Sequence, residues 1–147
     1  LPEYEVKQMP EDYHFEMGKA TVIREGTDIS LVGSGIMVSR CKEAAEILAG
    51  KGISAEVINV STIKPLDEDT IVQSASKTRH VVTAENNTVI GGLGGAIAEV
   101  LGEKCPVKIG RIGIQDRFGH SGLIDELLDI YNLTTEDIVK KALEILE

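Results

Sequence analysis

The sequence predicts an α/β domain built on a largely parallel sheet with helices on both faces. Two observations carry that reading. After Gly18, short β-branched runs alternate with amphipathic segments of helical period, and such alternation is how parallel strands and their crossover helices are written. The length, 147 residues, corresponds to one domain at about 150 residues each, and a chain of this size buries roughly 70% of its unfolded surface without help from a disulfide or metal.

The elements follow in order. Residues 1–17 contain Pro2 and Pro10 among Glu3, Glu5, Glu11, Asp12 and Glu16, show no period, and read as a linker or arm from a preceding domain. Lys19–Ile23 and Asp28–Val32 have strand composition. The turn at Arg24, Glu25, Gly26 and Thr27 predicts that these two strands are antiparallel neighbours. From Met37, the small or apolar residues Cys41, Ala44, Ala45 and Leu48 recur at helical steps until Gly50, Lys51 and Gly52 stop the helix. Ala55–Val60 is the next strand, Pro65 and Asp67 signal a helix start, and Asp69–Thr78 carries Ile71, Val72 and Ala75 on one face. His80–Glu85 is a strand, the cluster Gly91, Gly92, Gly94 and Gly95 opens a helix striped by Leu93, Ile97 and Val100 or Leu101, and Val107–Ile112 is a further strand. Two helical patterns close the chain: Ile124, Leu127, Leu128 and Tyr131, then Ile138, Val139, Ala142 and Ile145 or Leu146. Thr134 is the N-cap of the last helix, with Asp137 three residues on and Leu133 facing Ile138 as a staple.

Composition excludes several classes of function. Apolar residues at 42% and charged residues at 27% describe a globular chain rather than a disordered one. The net charge of −9 repels phosphate backbones and anionic lipid, so neither nucleic acid nor membrane is expected as a partner. No run approaches 18 apolar residues, and the first residues lack a signal-peptide pattern, which leads to a cytoplasmic expectation. The chain starts at Leu1 without Met, as a piece of a longer protein would. Cys41 and Cys105 stand apart without CxxC spacing, and His14 and His80 have no companions at metal-ligand spacing, so no metal site is indicated.

Four stretches break the pattern, three of them at strand ends, where open α/β sheets place their sites. Gly33, Ser34 and Gly35 join a strand to a helix. A turn of this kind either offers backbone N–H groups to an anion or serves as a tight connection, and Val38 spoils the third position of a dinucleotide fingerprint. Glu85, Asn86 and Asn87, followed by Gly92 and Gly94, either line a ligand or cap backbone and permit close packing. Asp116, Arg117, Phe118, Gly119, His120, Ser121 and Gly122 gather an acid, a base, a titratable ring and a hydroxyl. Adjacent residues seldom converge on one atom, and the glycine two places before the serine of a nucleophile elbow is missing, so ordering of a loop or an interface ranks above catalysis there. Thr62–Asp67 reads as a loop that starts a helix.

These stretches, taken together, resemble the C-terminal domain of transketolases. The resemblance is carried by Thr62, Ile63, Lys64, Pro65, Leu66 and Asp67; by Thr83, Ala84, Glu85 and Asn86 with Ile90, Gly91, Gly92, Leu93 and Gly94; by Arg111, Ile112, Gly113 and Ile114 with Asp116, Phe118, Gly119, Ser121 and Gly122; and by Leu133, Thr134, Glu136, Asp137 and Ile138. It covers the chain from about Gly18 to the end, so residues 18–147 are taken as the domain. Deoxyxylulose-phosphate synthases and the beta subunits of 2-oxo acid dehydrogenases carry similar domains.

The resemblance implies a three-layer α/β/α fold with a five-stranded mixed sheet, mostly parallel, whose first strand is antiparallel. It implies a dimeric parent enzyme of the pentose phosphate pathway type that moves a two-carbon ketol unit between sugar phosphates, using thiamine diphosphate and a divalent metal, Mg or Ca. The family's preceding domains supply that cofactor site, so no catalytic, cofactor-binding or metal residue is expected in this chain. Its partners are then the cofactor-binding domains or subunit of the same enzyme, faced by the stretches at Glu85–Gly95 and Asp116–Gly122. A β-branched residue at Gly94 is expected to weaken assembly while sparing the isolated fold. Two other readings stand beside this one: a small anion or nucleotide binder working through Gly33–Gly35, and a docking module for a basic segment of an acyltransferase.

Overall fold

The computed structural model describes residues 19–61, 65–88, 92–114 and 134–147, except the side chains of residues 86–88 and 114. The predicted arm at 1–17, the loop residues Thr62–Lys64, and the stretch holding Asp116–Gly122 and the helical pattern from Ile124 to Tyr131 lie outside the described residues. Five strands and four helices are described: β1 (Ala20–Arg24), β2 (Ile29–Gly33), α1 (Met37–Gly50), β3 (Ala55–Val60), α2 (Glu68–Thr78), β4 (His80–Thr88), α3 (Leu93–Lys104), β5 (Lys108–Ile114) and α4 (Thr135–Leu146). The sheet runs in the order β1-β3-β2-β4-β5. β1 is antiparallel and every other pairing is parallel.

The central strands are buried on both faces, with β2 and β3 buried along their whole length, as a sheet covered twice requires. One face packs Ile29, Leu31, Val57, Val82 and Ala84 against Met37, Cys41, Ala45 and Leu48 of α1 and Ile138 and Ala142 of α4. The other packs Val32, Ile58, Val60 and Val81 against Ile71 and Ala75 of α2 and Leu93, Ile97 and Leu101 of α3. Each fully buried Leu or Ile contributes about 1.5–3 kcal/mol from the removal of its side chain from water.

The helix ends follow local chemistry. Asp67 caps α2 by accepting the Thr70 N–H at 3.2 Å, and Thr134 caps α4 by accepting from the Asp137 N–H at 3.3 Å. α1 stops as Gly52 takes a positive φ of 80° and its N–H reaches the Ala49 carbonyl at 3.0 Å.

One topological expectation is corrected. β1 and β2 do not pair; β3 lies between them, with Thr21 opposite Asn59 on one side and Gly33 opposite Asn59 on the other. The link from β1 to β2 passes over the start of β3 instead of forming a hairpin. Gly26 makes that crossing possible: a Cβ there would lie 2.3 Å from the Ala55 carbonyl carbon, and the Gly26 N–H is held by the Glu56 carboxylate at 3.2 Å. A short turn between β-branched runs carries a hairpin signal in sequence, whereas the lack of room for a side chain at Gly26 appears only once β3 is in place.

Candidate interface at the carboxyl edge of the sheet

The candidate residues that are described gather where β2 and β4 end. Alternation along β4 turns Val81, Thr83 and Glu85 toward α3 and Val82 and Ala84 toward α1. Glu85, 1% exposed, reaches under the first turn of α3 and accepts the N–H groups of Leu93 at 2.5 Å and Gly94 at 2.9 Å. A carboxylate at a helix N-terminus satisfies orphan donors and meets the positive end of the helix dipole. Gly92, the N-cap, offers no side-chain hydrogen bond of its own, so Glu85 does the capping from the neighbouring strand. A Cβ at Gly92 would fall 2.4 Å from a Glu85 carboxylate oxygen.

Gly94 fits against two further side chains. A Cβ there would lie 2.9 Å from Arg111 Nε and 3.0 Å from Thr83 Oγ1. Thr83 is 1% exposed, and its hydroxyl has no hydrogen-bond partner among the described residues. A side chain at Gly94 would therefore meet Thr83 and Arg111 of the same chain.

The Gly33–Gly35 turn stands beside β4. The Ser34 N–H donates to the Ala84 carbonyl at 3.4 Å, and the N–H groups of Met37 and Val38 go to the carbonyls of Ser34 and Gly35 at 3.2 Å each. Gly35 has a positive φ of 61°, and a Cβ at Gly33 would press on Cys41 Sγ at 3.0 Å and the Met37 carbonyl oxygen at 3.2 Å. These contacts build a tight strand-to-helix connection. At both helix starts on this edge, N–H groups that an anion would use are already bonded within the chain, and no group of three metal-ligating side chains occurs among the described residues. Asn86 continues β4 beyond Glu85, while Asp116, Phe118, Gly119, His120, Ser121 and Gly122 lie outside the described residues.

The sheet's first strand bears on this same edge. Because β1 is antiparallel, its first residue, Ala20, lies opposite Val60, the last residue of β3. The Ala20 N–H is fixed by the Asp67 carboxylate at 2.9 Å, so the polypeptide enters the domain at the carboxyl end beside the start of α2. Burial alone would raise the Asp67 carboxyl; the Ala20 N–H, the Thr70 hydroxyl and N–H, and nearby Lys19 more than offset it and hold it below the usual aspartate range.

A second polar group lies at the opposite end of the strands and was not singled out from sequence. Glu56, 2% exposed, is the second residue of β3 and meets Lys77 Nζ of α2 at 2.5 Å. Its carboxyl is likewise held below the usual range, the cost of burial being more than offset by Lys77, the Ser74 hydroxyl and the Gly26 N–H. Ser30 continues the group, 2.6 Å from Ser74 Oγ and 2.7 Å from Thr78 Oγ1. The available sequence signal was a single acid within the apolar run Ala55–Val60, which can be buried only if paired.

Known proteins share this fold. Residues 18–138 match the family described as "Transketolase, C-terminal domain". Over 137 residues the chain is 53% identical to the 6-deoxy-6-sulfo-D-fructose transketolase subunit SqwH of Clostridium sp. (strain MSTE9), covering 93% of this chain and 42% of that protein. It is 44% identical over 135 residues to a putative transketolase C-terminal section of Methanocaldococcus jannaschii, covering 91% of this chain and 42% of that protein. Among solved structures, a split gene transketolase described as an inactive beta4 tetramer superposes with a TM-score of 0.87 at 43% identity, over 94% of this chain and 46% of that one. A transketolase R525L mutant from Pichia stipitis superposes with a TM-score of 0.65 at 20% identity, over 88% of this chain and 18% of that one, and shares the fold. The chain thus spans less than half the length of these relatives.

Proposed function

Since the chain belongs to the transketolase C-terminal domain family, we propose that it is the assembly domain of a transketolase and works only together with a part that holds thiamine diphosphate and a divalent metal. Thiamine diphosphate, when bound there, supplies the carbanion chemistry by which a two-carbon ketol unit passes between sugar phosphates. The observation that carries the reading is the 53% identity to a transketolase subunit of which this chain matches only 42%. A sulfonated ketose, named for that relative, belongs on the panel of donor substrates.

The assembly surface in this proposal is the carboxyl edge. The entry of the chain at Ala20, the Gly33–Gly35 turn and the Glu85-capped start of α3 share that edge, so a domain preceding Lys19 is tethered where the candidate loops gather. Glu85 and Asp67 act as positioning residues: each holds a helix start and a strand end in one rigid corner. A preorganised surface of this kind loses little conformational freedom on docking.

Reconstitution tests the reading. The chain is mixed with a thiamine-diphosphate-binding transketolase subunit, and ketol transfer is followed with thiamine diphosphate and magnesium present. Activity is expected only in the mixture, together with a complex larger than either component in sizing chromatography. Turnover by the chain alone would overturn the division of labour, and absence of any complex with such subunits would overturn the assembly role.

A further inference from the structure

We propose that a cleft running between β1 and α2, from Thr70 in the first turn of α2 to the Glu56–Lys77 pair at the amino end of β3, binds a small amino polyol: a compound carrying one primary ammonium and neighbouring hydroxyl groups. The proposal is independent of the assembly reading. The cleft has a volume of about 350 Å³ and is lined by Val22, Glu25, Glu56, Thr70, Gln73 and Lys77, among others, which is within the size range of small-molecule sites.

The floor is preorganised. Glu56 is held by the Gly26 N–H and by Lys77 Nζ, so the carboxylate at the base has fixed geometry and a compensated charge. A buried ion pair is a poor source of stability compared with apolar packing, and one that opens onto a cleft is a candidate for recognition. The walls carry unspent polar groups. The Lys77 ammonium donates to Glu56 alone, leaving two N–H groups without partners among the described residues. The Gln73 amide and the Glu25 carboxylate form no hydrogen bond or ion pair among the described residues. The Thr70 hydroxyl donates to Asp67 at 2.7 Å, which leaves its oxygen able to accept.

Charge and shape select the ligand. With Glu56 balanced by Lys77, Glu25 is the uncompensated charge, so the cleft favours a cation over an anion or a neutral sugar. Glu25, at the Glu56 end of the cleft, suits the charge of a primary ammonium, and the Thr70 and Gln73 oxygens, set along α2, suit ligand hydroxyl groups as acceptors. The N–H groups of Lys77 and the Gln73 amide suit ligand hydroxyl oxygens. Val22, 37% exposed, offers an apolar wall to the carbon skeleton.

The test is titration of the ¹⁵N-labelled chain by NMR with glucosamine, with glucose as the neutral control and 1,4-diaminobutane as the ammonium lacking hydroxyls, each up to about 20 mM so that millimolar binding is visible. Glucosamine is expected to shift the amides of Val22, Glu25, Gln73 and Lys77 together with the Gln73 side-chain amide, and to bind at least about fivefold more tightly than either control. Glu25→Gln, at an exposed position that leaves the Glu56 pair intact, is expected to lower glucosamine affinity about fivefold while the unliganded spectrum stays folded. Gln73→Ala is the second variant, expected to weaken glucosamine more than 1,4-diaminobutane. Absence of shifts, shifts elsewhere, equal binding of either control, or unchanged affinity in Glu25→Gln would each overturn the proposal.

Discussion

Glu85 and Gly92 share one volume: the carboxylate lies where a side chain at Gly92 would be, 2.4 Å from an added Cβ. The pair explains how a helix with a glycine N-cap starts firmly, since the acceptor that Gly92 cannot supply comes from the end of β4. Gly92→Ala is therefore expected to lower stability by about 2–3 kcal/mol, because the buried carboxylate must move off its donors. Glu85→Ala is expected to cost about 2 kcal/mol, since it leaves two N–H groups at a buried helix start. Urea midpoints of the two variants and of the double variant decide the matter. If the effects simply add, the two residues do not act as a unit.

Gly26 is more constrained, because its neighbours are backbone. An added Cβ would lie 2.3–2.6 Å from Ala55 and Glu56 main-chain atoms, which cannot swing aside as a side chain can. Gly26→Ala is expected to cost more than about 3 kcal/mol. Gly50→Ala supplies the contrast: nothing lies within 4 Å of a Cβ there, so removing a helical glycine should stabilise by about 0.5–1 kcal/mol. Thermal melts that rank the two variants the other way would refute the crossing geometry assigned to Gly26.

Much of the architecture was legible because it is local. The α1 stripe of Cys41, Ala44, Ala45 and Leu48, the Asp67 and Thr134 caps and the β-branched strands all declare themselves within a few residues, and the structure has each of them. The neighbour of β1 was not legible, since a turn sequence does not show which strand will slide between the two it joins. The Thr83–Ala84–Glu85 stretch was legible as unusual but ambiguous in role. That Glu85 caps α3 and that Thr83 and Arg111 close over Gly94 depends on packing between segments up to 28 residues apart. The Glu56–Lys77 pair was missed for the same reason, its partners being 21 residues apart.

Cys41 provides a probe of global opening. It is fully buried on the inner face of α1, and burial pushes its thiol up to about 12, so at neutral pH neither access nor thiolate is available in the folded state. Its reaction with an aromatic disulfide reagent is expected to proceed only at the rate set by unfolding, slowed in proportion as stabilising substitutions outside α1 are added, such as Gly102→Ala in α3, where nothing lies within 4 Å of an added Cβ. A labelling rate at Cys41, followed by peptide mapping to separate it from Cys105, that ignores such substitutions would show that α1 opens locally.

The acid limb of stability should be traceable to Glu56 and Asp67. Both carboxyls are held below their ordinary values of 4.5 and 3.8 in the folded state, so the unfolded chain binds protons more readily and acid favours unfolding. Their contribution is fully present above about pH 4.5 and is lost as the pH falls through the lower folded-state values. Glu56→Gln removes one of the two groups, and its neutral amide still meets the Gly26 N–H with an oxygen. The variant is expected to be less stable than the parent at pH 7, where the Lys77 pair is intact in the parent, and to lose stability less steeply as the pH falls below 4.5. Urea denaturation at a series of pH values gives both quantities. Parallel curves for parent and variant would mean that the Glu56 carboxyl is not held below its unfolded value, and the acid sensitivity would then have to come from Asp67 and its hold on the Ala20 N–H.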